Sequence, residues 1–335
     1  MTRNAKVQVL YPFKFNPIFK ERVWGGRAIE TLYGKKLPGS GPIGESWEIS
    51  DRPRDASVII NGPLAGKNLR WLMEIHERDL LGDVKSQNGL FPLLIKILDA
   101  QEKLSLQVHP PASKAAELGG DPKTEMWHIT HAAPGAELYV GLKRGVTRQE
   151  FEARIKDGTV AECFHRIPVK AGDTMFLPSG RVHAIGAGLV IFEIQQNSDT
   201  TYRVFDWNRV GTDGKPRDLH VAESLASIDF EDFEPALVQS DFESAGRFKI
   251  RPLAKHPLFS VDAFRALSKE PISFRQQKLK IVGALENKIG VEGGGTSVPL
   301  SPGEFCLIPA CINDAKIETE IGSSFLLISP GEISR

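Results

Sequence analysis

The chain has 335 residues, with 42 Lys plus Arg balanced by 42 Asp plus Glu and 41% apolar side chains, the make-up of a globular protein long enough for about two domains. Zero net charge excludes a global electrostatic fit to nucleic acid or an anionic membrane, and no apolar run reaches the roughly 20 residues of a membrane span. Three cysteines (Cys163, Cys306, Cys311) are too few and too odd a set for a disulfide scaffold. With no apolar secretory stretch in MTRNAKVQVLYPFKF, they place the chain in the cytoplasm.

Apolar spacing predicts few helices and many strands. Leu69, Leu72, Met73, Ile75 and His76 share a helix that Gly82 closes. FPLLIKIL (91–98), LSLQVH (104–109), EMWHI (125–129) and ELYVGL (137–142) read as strands. Thr147 N-caps a second helix, with Glu150 as its capping-box partner and Gly158 as its stop. LVIFEIQ (189–195) is a further strand, a third helix runs near 219–227, and more strands follow residue 247. Twenty-two prolines and 31 glycines punctuate these runs, which predicts a mainly β sandwich or barrel. The acidic, Pro-containing stretch DFEDFEPALVQSDFES (229–244) is the linker, dividing residues 1–235 from 236–335. AGDTMFLPSGRVHA (171–184) aligns without gaps to PGEFCLIPACINDA (302–315), an offset of 131 residues. Gly172 matches Gly303, Asp173 matches Glu304, Pro178 matches Pro309 and Ala184 matches Ala315, so two related barrels are expected.

Four segments carry chemistry. In Gly172-x5-Pro178-x-Gly180-x2-His183 a turn, a strand and a second turn bring His183 to the start of a returning strand, able to face inward. Alternation along LSLQVHP puts Ser105, Gln107 and His109 on one face and Leu106 and Val108 on the other. A polar face on a buried strand needs partners or a cavity, and imidazole and amide oxygen both ligate divalent metals. Glu125, in KTEMW, adds a carboxylate. With His109 and His183 it makes a two-His, one-carboxylate set that leaves a position open for substrate or water, with Gln107 as a fourth member. Glu193 shares a strand face with Leu189, Ile191 and Gln195, and Asp199 and Arg203 follow in a polar loop, the pattern of a general base beside an anion clamp. Alone, each segment has a plainer reading: a hydrogen-bonded hairpin histidine, a strand with one solvated face, a surface ion pair. His128 faces opposite Glu125 and Trp127 and reads as core. His76, His131, His165, His220 and His256 show no partner pattern, and Cys306 and Cys311 lack the second Cys/His pair of a structural zinc site.

The glycine–proline–histidine spacing resembles the second motif of the cupin superfamily. Taken in order, LSLQVHP, KTEMW, LPSGRVHAIG and EIQQNSDTTYRVFDWNR closely resemble the short bacterial type of class I mannose-6-phosphate isomerase, as do GESWEIS (44–50) and YPFKFNPIFKERVWGG near the start. The resemblance is strong from about residue 11 to 228 and weak beyond. It implies two cupin-like (jelly-roll) barrels: residues 1–235 as a catalytic domain with a metal site, and 236–335 as a degenerate β domain without one. It also implies one zinc ion per chain on Gln107, His109, Glu125 and His183, and interconversion of mannose 6-phosphate and fructose 6-phosphate by proton transfer through an enediol. The family's active-site arginine falls on Arg203, its substrate-contacting groups on Lys123 and Ser105, and its acid/base carboxylates on Asp199 and Glu193. The expected partner is a small sugar phosphate, not nucleic acid or a membrane.

The sequence departs from the pattern in places. Longer members carry a His before the Lys, assigned to opening the sugar ring; here Pro122 stands there, leaving water or His128 for that step. The first His of the usual cupin HxH is Gln107, and the carboxylate lies 16 residues after His109. Residues 129–170 leave room for one short helix, so the long members' helical insertion is absent. In the second half of the repeat Gly180 becomes Cys311 and His183 becomes Asp314, with no His in the upstream strands FSVDAFR and ISFRQQKLKIVGA. Two other readings use the same ligand set: a cupin-fold Fe(II) oxygenase, or a sugar-phosphate-binding cupin without turnover.

Overall fold

The computed structural model describes residues 9–211, 214–273 and 278–331. It is mainly β, and the chain gathers into two compact units. One comprises Phe19–Trp47 with Leu94–Gln239; the other comprises Met1–Ile18, Glu48–Leu93 and Ser240–Arg335. The division expected at 235/236 lies near one crossing point, but the units differ from it in being interleaved along the chain. Strand pairing is the reason. Phe13–Asn16 pairs antiparallel with Phe305–Ile308, Phe13 opposite Leu307, and on its other edge with Val58–Ile59.

In the unit that contains the cupin-like motifs, eight strands follow one another: Leu93–Ala100, Leu106–Val108, Glu125–Ala132, Glu137–Leu142, Phe164–Pro168, Thr174–Leu177, His183–Ile185 and Leu189–Gln196. The sixth, third, eighth and first pair in that order in one sheet, which Ile43–Ile49 and Ile18–Gly26 extend. The fifth, fourth, seventh and second form the facing sheet, which Tyr202–Phe205 extends. This is the jelly-roll order expected from the sequence. Leu98, Trp127, Ile129, Leu138, Val140, Met175 and Ile191 fill the interior. The outer face of the second sheet buries Leu106, Val108, Tyr139, Phe164 and Tyr202 together with Phe151, which comes from the helix Arg148–Asp157. That helix is built as its sequence requires: Thr147 Oγ1 accepts the Glu150 N–H at 3.2 Å, and Gly158 ends it at φ 78. The Glu150 carboxylate accepts instead from Arg154 Nε at 2.9 Å, an i,i+4 pair in place of the reciprocal half of the box. The 229–244 linker is tied down over most of its length. Asp229 N–H reaches Gly180 O at 2.9 Å, Arg181 forks onto Asp232 at 2.7 and 2.8 Å, and Val238 N–H reaches Thr174 O at 2.9 Å.

The other unit repeats the order. Phe259–Ala266, Ile272–Ser273, Lys280–Glu286, Ile289–Gly293, Thr296–Leu300, Phe305–Ile308, Lys316–Thr319 and Ser324–Pro330 follow in sequence. Again the sixth, third, eighth and first pair in one sheet and the fifth, fourth, seventh and second in the other. Strands Thr174–Leu177 and Phe305–Ile308 stand at the 131-residue offset seen in the sequence, each after a left-handed glycine, Gly172 at φ 88 and Gly303 at φ 80. The helix Leu69–Leu81 begins at Asn68, whose side chain accepts from Trp71 N–H at 2.8 Å, and stops at Gly82.

Candidate active site

Three side chains meet at one end of the first barrel. Glu125 opens the third strand, His183 opens the seventh, and His109 follows the second. They are 0%, 1% and 1% exposed. Glu125 Oε2 lies 3.6 Å from His109 Nε2, and Oε1 lies 3.5 Å from His183 Nε2. Backbone carbonyls turn both rings. His109 Nδ1–H donates to Thr200 O at 2.8 Å and His183 Nδ1–H to Arg181 O at 2.9 Å, which leaves each Nε2 lone pair facing the carboxylate. Burial, with the nearby Lys123 ammonium, lowers the pKa of His109 to about 4, and burial lowers that of His183, so both rings are neutral at neutral pH. Burial pushes the Glu125 carboxyl up, but the Lys123 ammonium overcomes it and holds the group well below its usual range.

The arrangement suits a divalent cation. The ligand atoms of His109, Glu125 and His183 lie within 4.8 Å of one another. Two ligands about 2.1 Å from a tetrahedral centre sit about 3.4 Å apart, close to the observed 3.5 and 3.6 Å. Among the described residues neither oxygen of Glu125 receives a well-aligned hydrogen bond, although Lys123 Nζ stands 2.8 Å from Oε2. A buried carboxylate so placed has lone pairs to give. Gln107 borders the group, its amide nitrogen 3.3 Å from His183 Nε2, and Ser105 Oγ–H points to its amide oxygen at 3.4 Å.

Above these residues opens a cleft of about 610 Å³. Gln107, Lys123, Ser105, Glu193, Asp199 and Arg203 line it, so these site residues expected from the sequence converge there, whereas His109, Glu125 and His183, the expected metal ligands, are buried and outside the lining. Buried charges alternate in sign along the wall. Lys123 Nζ lies 2.8 Å from Glu125 and 3.9 Å from Glu193, and Lys96 Nζ lies 3.3 Å from Glu193 and 3.8 Å from Glu45. Burial would lower the pKa of Lys123, but Glu125 and Glu193 raise it, and the ammonium stays charged. Glu193 Oε2 also accepts the Trp127 indole N–H at 2.9 Å. Burial would raise Glu45, yet Lys96, Arg22 and the Trp47 indole bring it to about 2.

Sequence reasoning missed Lys96, Glu45, Arg22 and Arg217, all in the lining. One signal could have found Lys96: alternation through FPLLIKIL puts it between Leu94 and Leu98 on a fully buried strand, where a lone cation needs a partner. Arg203 extends from Tyr202–Phe205 and donates from Nη1 to Asp218 O at 2.7 Å, with Nε buried and without an acceptor among the described residues. Its exposed neighbour Asp199 lies in the loop before that strand. His128, one of the two groups left for ring opening, is on the opposite face of its strand and bonds through Nδ1 to Thr174 Oγ1 at 3.0 Å.

A jelly-roll barrel with a buried His–Glu–His group beside a charged cleft is the architecture of a cupin-fold protein with a candidate metal site. A family model for the catalytic domain of type I phosphomannose isomerase matches residues 12–121, a span that holds Gln107 and His109 and stops before Glu125 and His183. The chain is 36% identical over 313 residues to mannose-6-phosphate isomerase ManA of Bacillus subtilis, covering 92% of this chain and 96% of that one. It is 39% identical over 242 residues to mannose-6-phosphate isomerase of Streptococcus mutans, covering 72% and 74%. The crystal structure of the mannose 6-phosphate isomerase from Bacillus subtilis superposes with a TM-score of 0.86 at 32% identity, covering 95% of this chain and 99% of that one. The chain belongs to the type I phosphomannose isomerase family and is an aldose–ketose isomerase of that family. Among the described residues no helix is long and apolar enough to cross a membrane.

Proposed function

We propose that the chain interconverts D-mannose 6-phosphate and D-fructose 6-phosphate with one zinc ion per chain, held by His109, Glu125 and His183 with Gln107 as fourth member. The observation that carries the reading is the trio of buried ligand atoms beside Gln107 and Lys123, which line a cleft with charges of both signs. Two nitrogens and a carboxylate oxygen suit zinc, which has no redox chemistry of its own. When bound there, zinc supplies Lewis-acid stabilisation of negative charge on the sugar oxygens.

The reaction moves the proton on C2 of the open-chain aldose to C1 and a hydroxyl proton from O2 to O1; all atoms are conserved and no external oxidant is needed. Charge developing on oxygen in the enediol step needs fixed positive partners. Lys123, kept charged by Glu125 and Glu193, and the guanidinium of Arg203 are the cations at hand. Of the two carboxylates, Glu193 is committed to the Trp127 indole and lies beside Lys96 and Lys123. Its work is to hold those cations, and proton transfer falls to Asp199. Ring opening falls to water, because His128 faces away from Glu125. Three free cysteines accord with a reducing, cytoplasmic setting.

The test is incubation of metal-loaded protein with fructose 6-phosphate and identification of the product. Mannose 6-phosphate is expected, and its absence would sink the reading.

A further inference from the structure

Besides Arg203 and Arg22, the cleft wall carries the guanidinium of Arg217, which has a built support. Asp206, 5% exposed, receives a fork from Arg217, Nε to Oδ2 at 2.7 Å and Nη2 to Oδ1 at 2.5 Å. Arg209 donates to the same carboxylate at 2.7 Å and lies 3.7 Å from the exposed Glu102. The fork uses one edge of Arg217. No acceptor for its Nη1 occurs among the described residues, and the side chain lines the cleft. Arg203, on the same lining, has its buried Nε without an acceptor among the described residues. Burial first, then the charge of Arg217, depresses the Arg203 guanidinium below its usual range, and both side chains line the same cleft.

The turn after Asp206 is strained and held. Trp207 and Asn208 both have φ 55, a conformation unfavourable for side chains other than glycine. The Trp207 indole N–H donates to Leu104 O at 2.7 Å, Lys103 Nζ lies 4.8 Å from its ring centre, and Tyr139 and Phe205 meet it edge-on. Packing on the barrel therefore fixes where Asp206 stands. Two guanidiniums on one cleft lining, each with N–H groups beyond those bonded to Asp218 O and Asp206, suit a phosphoryl dianion.

We propose that Arg217, oriented by Asp206, joins Arg203 in a subsite for the substrate's phosphoryl group, with Asp206 as a positioning residue. This rests on the sugar-phosphate reading of the cleft. The test uses the metal-loaded full chain: calorimetry with inorganic phosphate, and kinetics with mannose 6-phosphate and unphosphorylated mannose. Arg217→Ala is expected to weaken phosphate binding at least tenfold and to lower the ratio of kcat/KM for the two sugars at least tenfold. A merely structural role would move both sugars together. Arg217→Lys keeps the charge without the fork, and Asp206→Asn keeps the arginine without its ionised support; each lowers the ratio by a smaller factor. Arg209→Ala, the same charge change outside the cleft lining, moves the ratio less than threefold. Arg217→Ala leaves Asp206 bonded to Arg209, so no buried carboxylate is stranded. The proposal is overturned if Arg217→Ala stays within twofold of wild type, if Arg209→Ala lowers the ratio equally, or if the wild type binds no inorganic phosphate. A wild type that binds phosphate but forms no mannose 6-phosphate overturns the isomerase reading alone.

Discussion

Arg203, Asp199 and Glu193 look alike in sequence as polar residues around one strand end, but their surroundings separate their roles. Arg203 places a planar fork on the cleft wall, and lysine cannot reproduce it. Arg203→Lys is expected to lower kcat/KM about 10²-fold, roughly 2.7 kcal/mol of transition-state stabilisation; steady-state kinetics equal to wild type would reduce the SDxxxR match to a structural contact. Asp199→Asn should lower kcat at least about 10²-fold with the unfolding midpoint unchanged, the signature of a proton-transfer group. Glu193→Gln should instead lower the urea midpoint, because Lys96, buried beside it at 3.3 Å, keeps only the more distant Glu45. The reverse pattern would hand proton transfer to Glu193. Glu45 sets a pH dependence. Its carboxyl is held at about 2 against an ordinary 4.5, so the stability it contributes is fully present above about pH 4.5 and is lost as pH falls toward 2. Glu45→Gln should flatten the acid limb of a thermal-melt series between those values.

Two glycines show why an element can be present in the sequence and still escape it. A Cβ on Gly25 would meet Gly44 N at 2.4 Å and Ile43 C at 2.6 Å, and one on Gly44 would meet Arg22 Cβ at 2.6 Å and Trp24 Cζ3 at 2.7 Å. The strands Ile18–Gly26 and Ile43–Ile49 thus approach closely at this pair, bringing Arg22 Nε to Glu45 at 2.8 Å on the cleft wall. Gly25→Ala strikes backbone, which cannot swing aside, and should destabilise the chain by about 1–3 kcal/mol while raising KM through Arg22. Denaturant unfolding that matches wild type would show that the strands can part without loss. VWGG and GESWEIS entered the sequence reading only through family resemblance, because the clash exists between the segments and in neither alone. Period-two alternation, by contrast, made the Ser105–Gln107–His109 face legible, and caps made the helices at 69–81 and 148–157 legible. The helix Ala28–Tyr33 was missed: it has six residues, and Ala28 N–H is satisfied at 2.6 Å by Asp99, 71 residues away. Arg217 gave no signal either, since its meaning comes from a carboxylate across a loop.

Across the whole molecule, the repeated strand order allows a residue-by-residue comparison of the two barrels. On the sixth and third strands Leu177 faces Glu125 in one barrel, and at the 131-residue offset Ile308 faces Lys280 in the other. The carboxylate proposed as a ligand is thus replaced by a lysine on the inward face that Val282 and Ala284 continue, and the His183 position by Asp314, whose Oδ1 accepts Gly294 N–H at 3.2 Å. An ammonium repels a divalent cation where the first barrel attracts one, and a single carboxylate already taken by a turn is a poor zinc ligand. Backbone features survive in both copies, since Gly303 and Pro309 shape the hairpin whatever it carries; the chemistry survives in one. Metal content should therefore be one zinc per chain. It should fall to near zero in Glu125→Ala, with the far-ultraviolet circular dichroism spectrum retained, because apolar interiors in both barrels hold the fold. Elemental analysis of the purified variant decides the matter. Two ions per wild-type chain, or one remaining in Glu125→Ala, would place metal somewhere other than His109, Glu125 and His183 and would end the account of the second barrel as a metal-free copy.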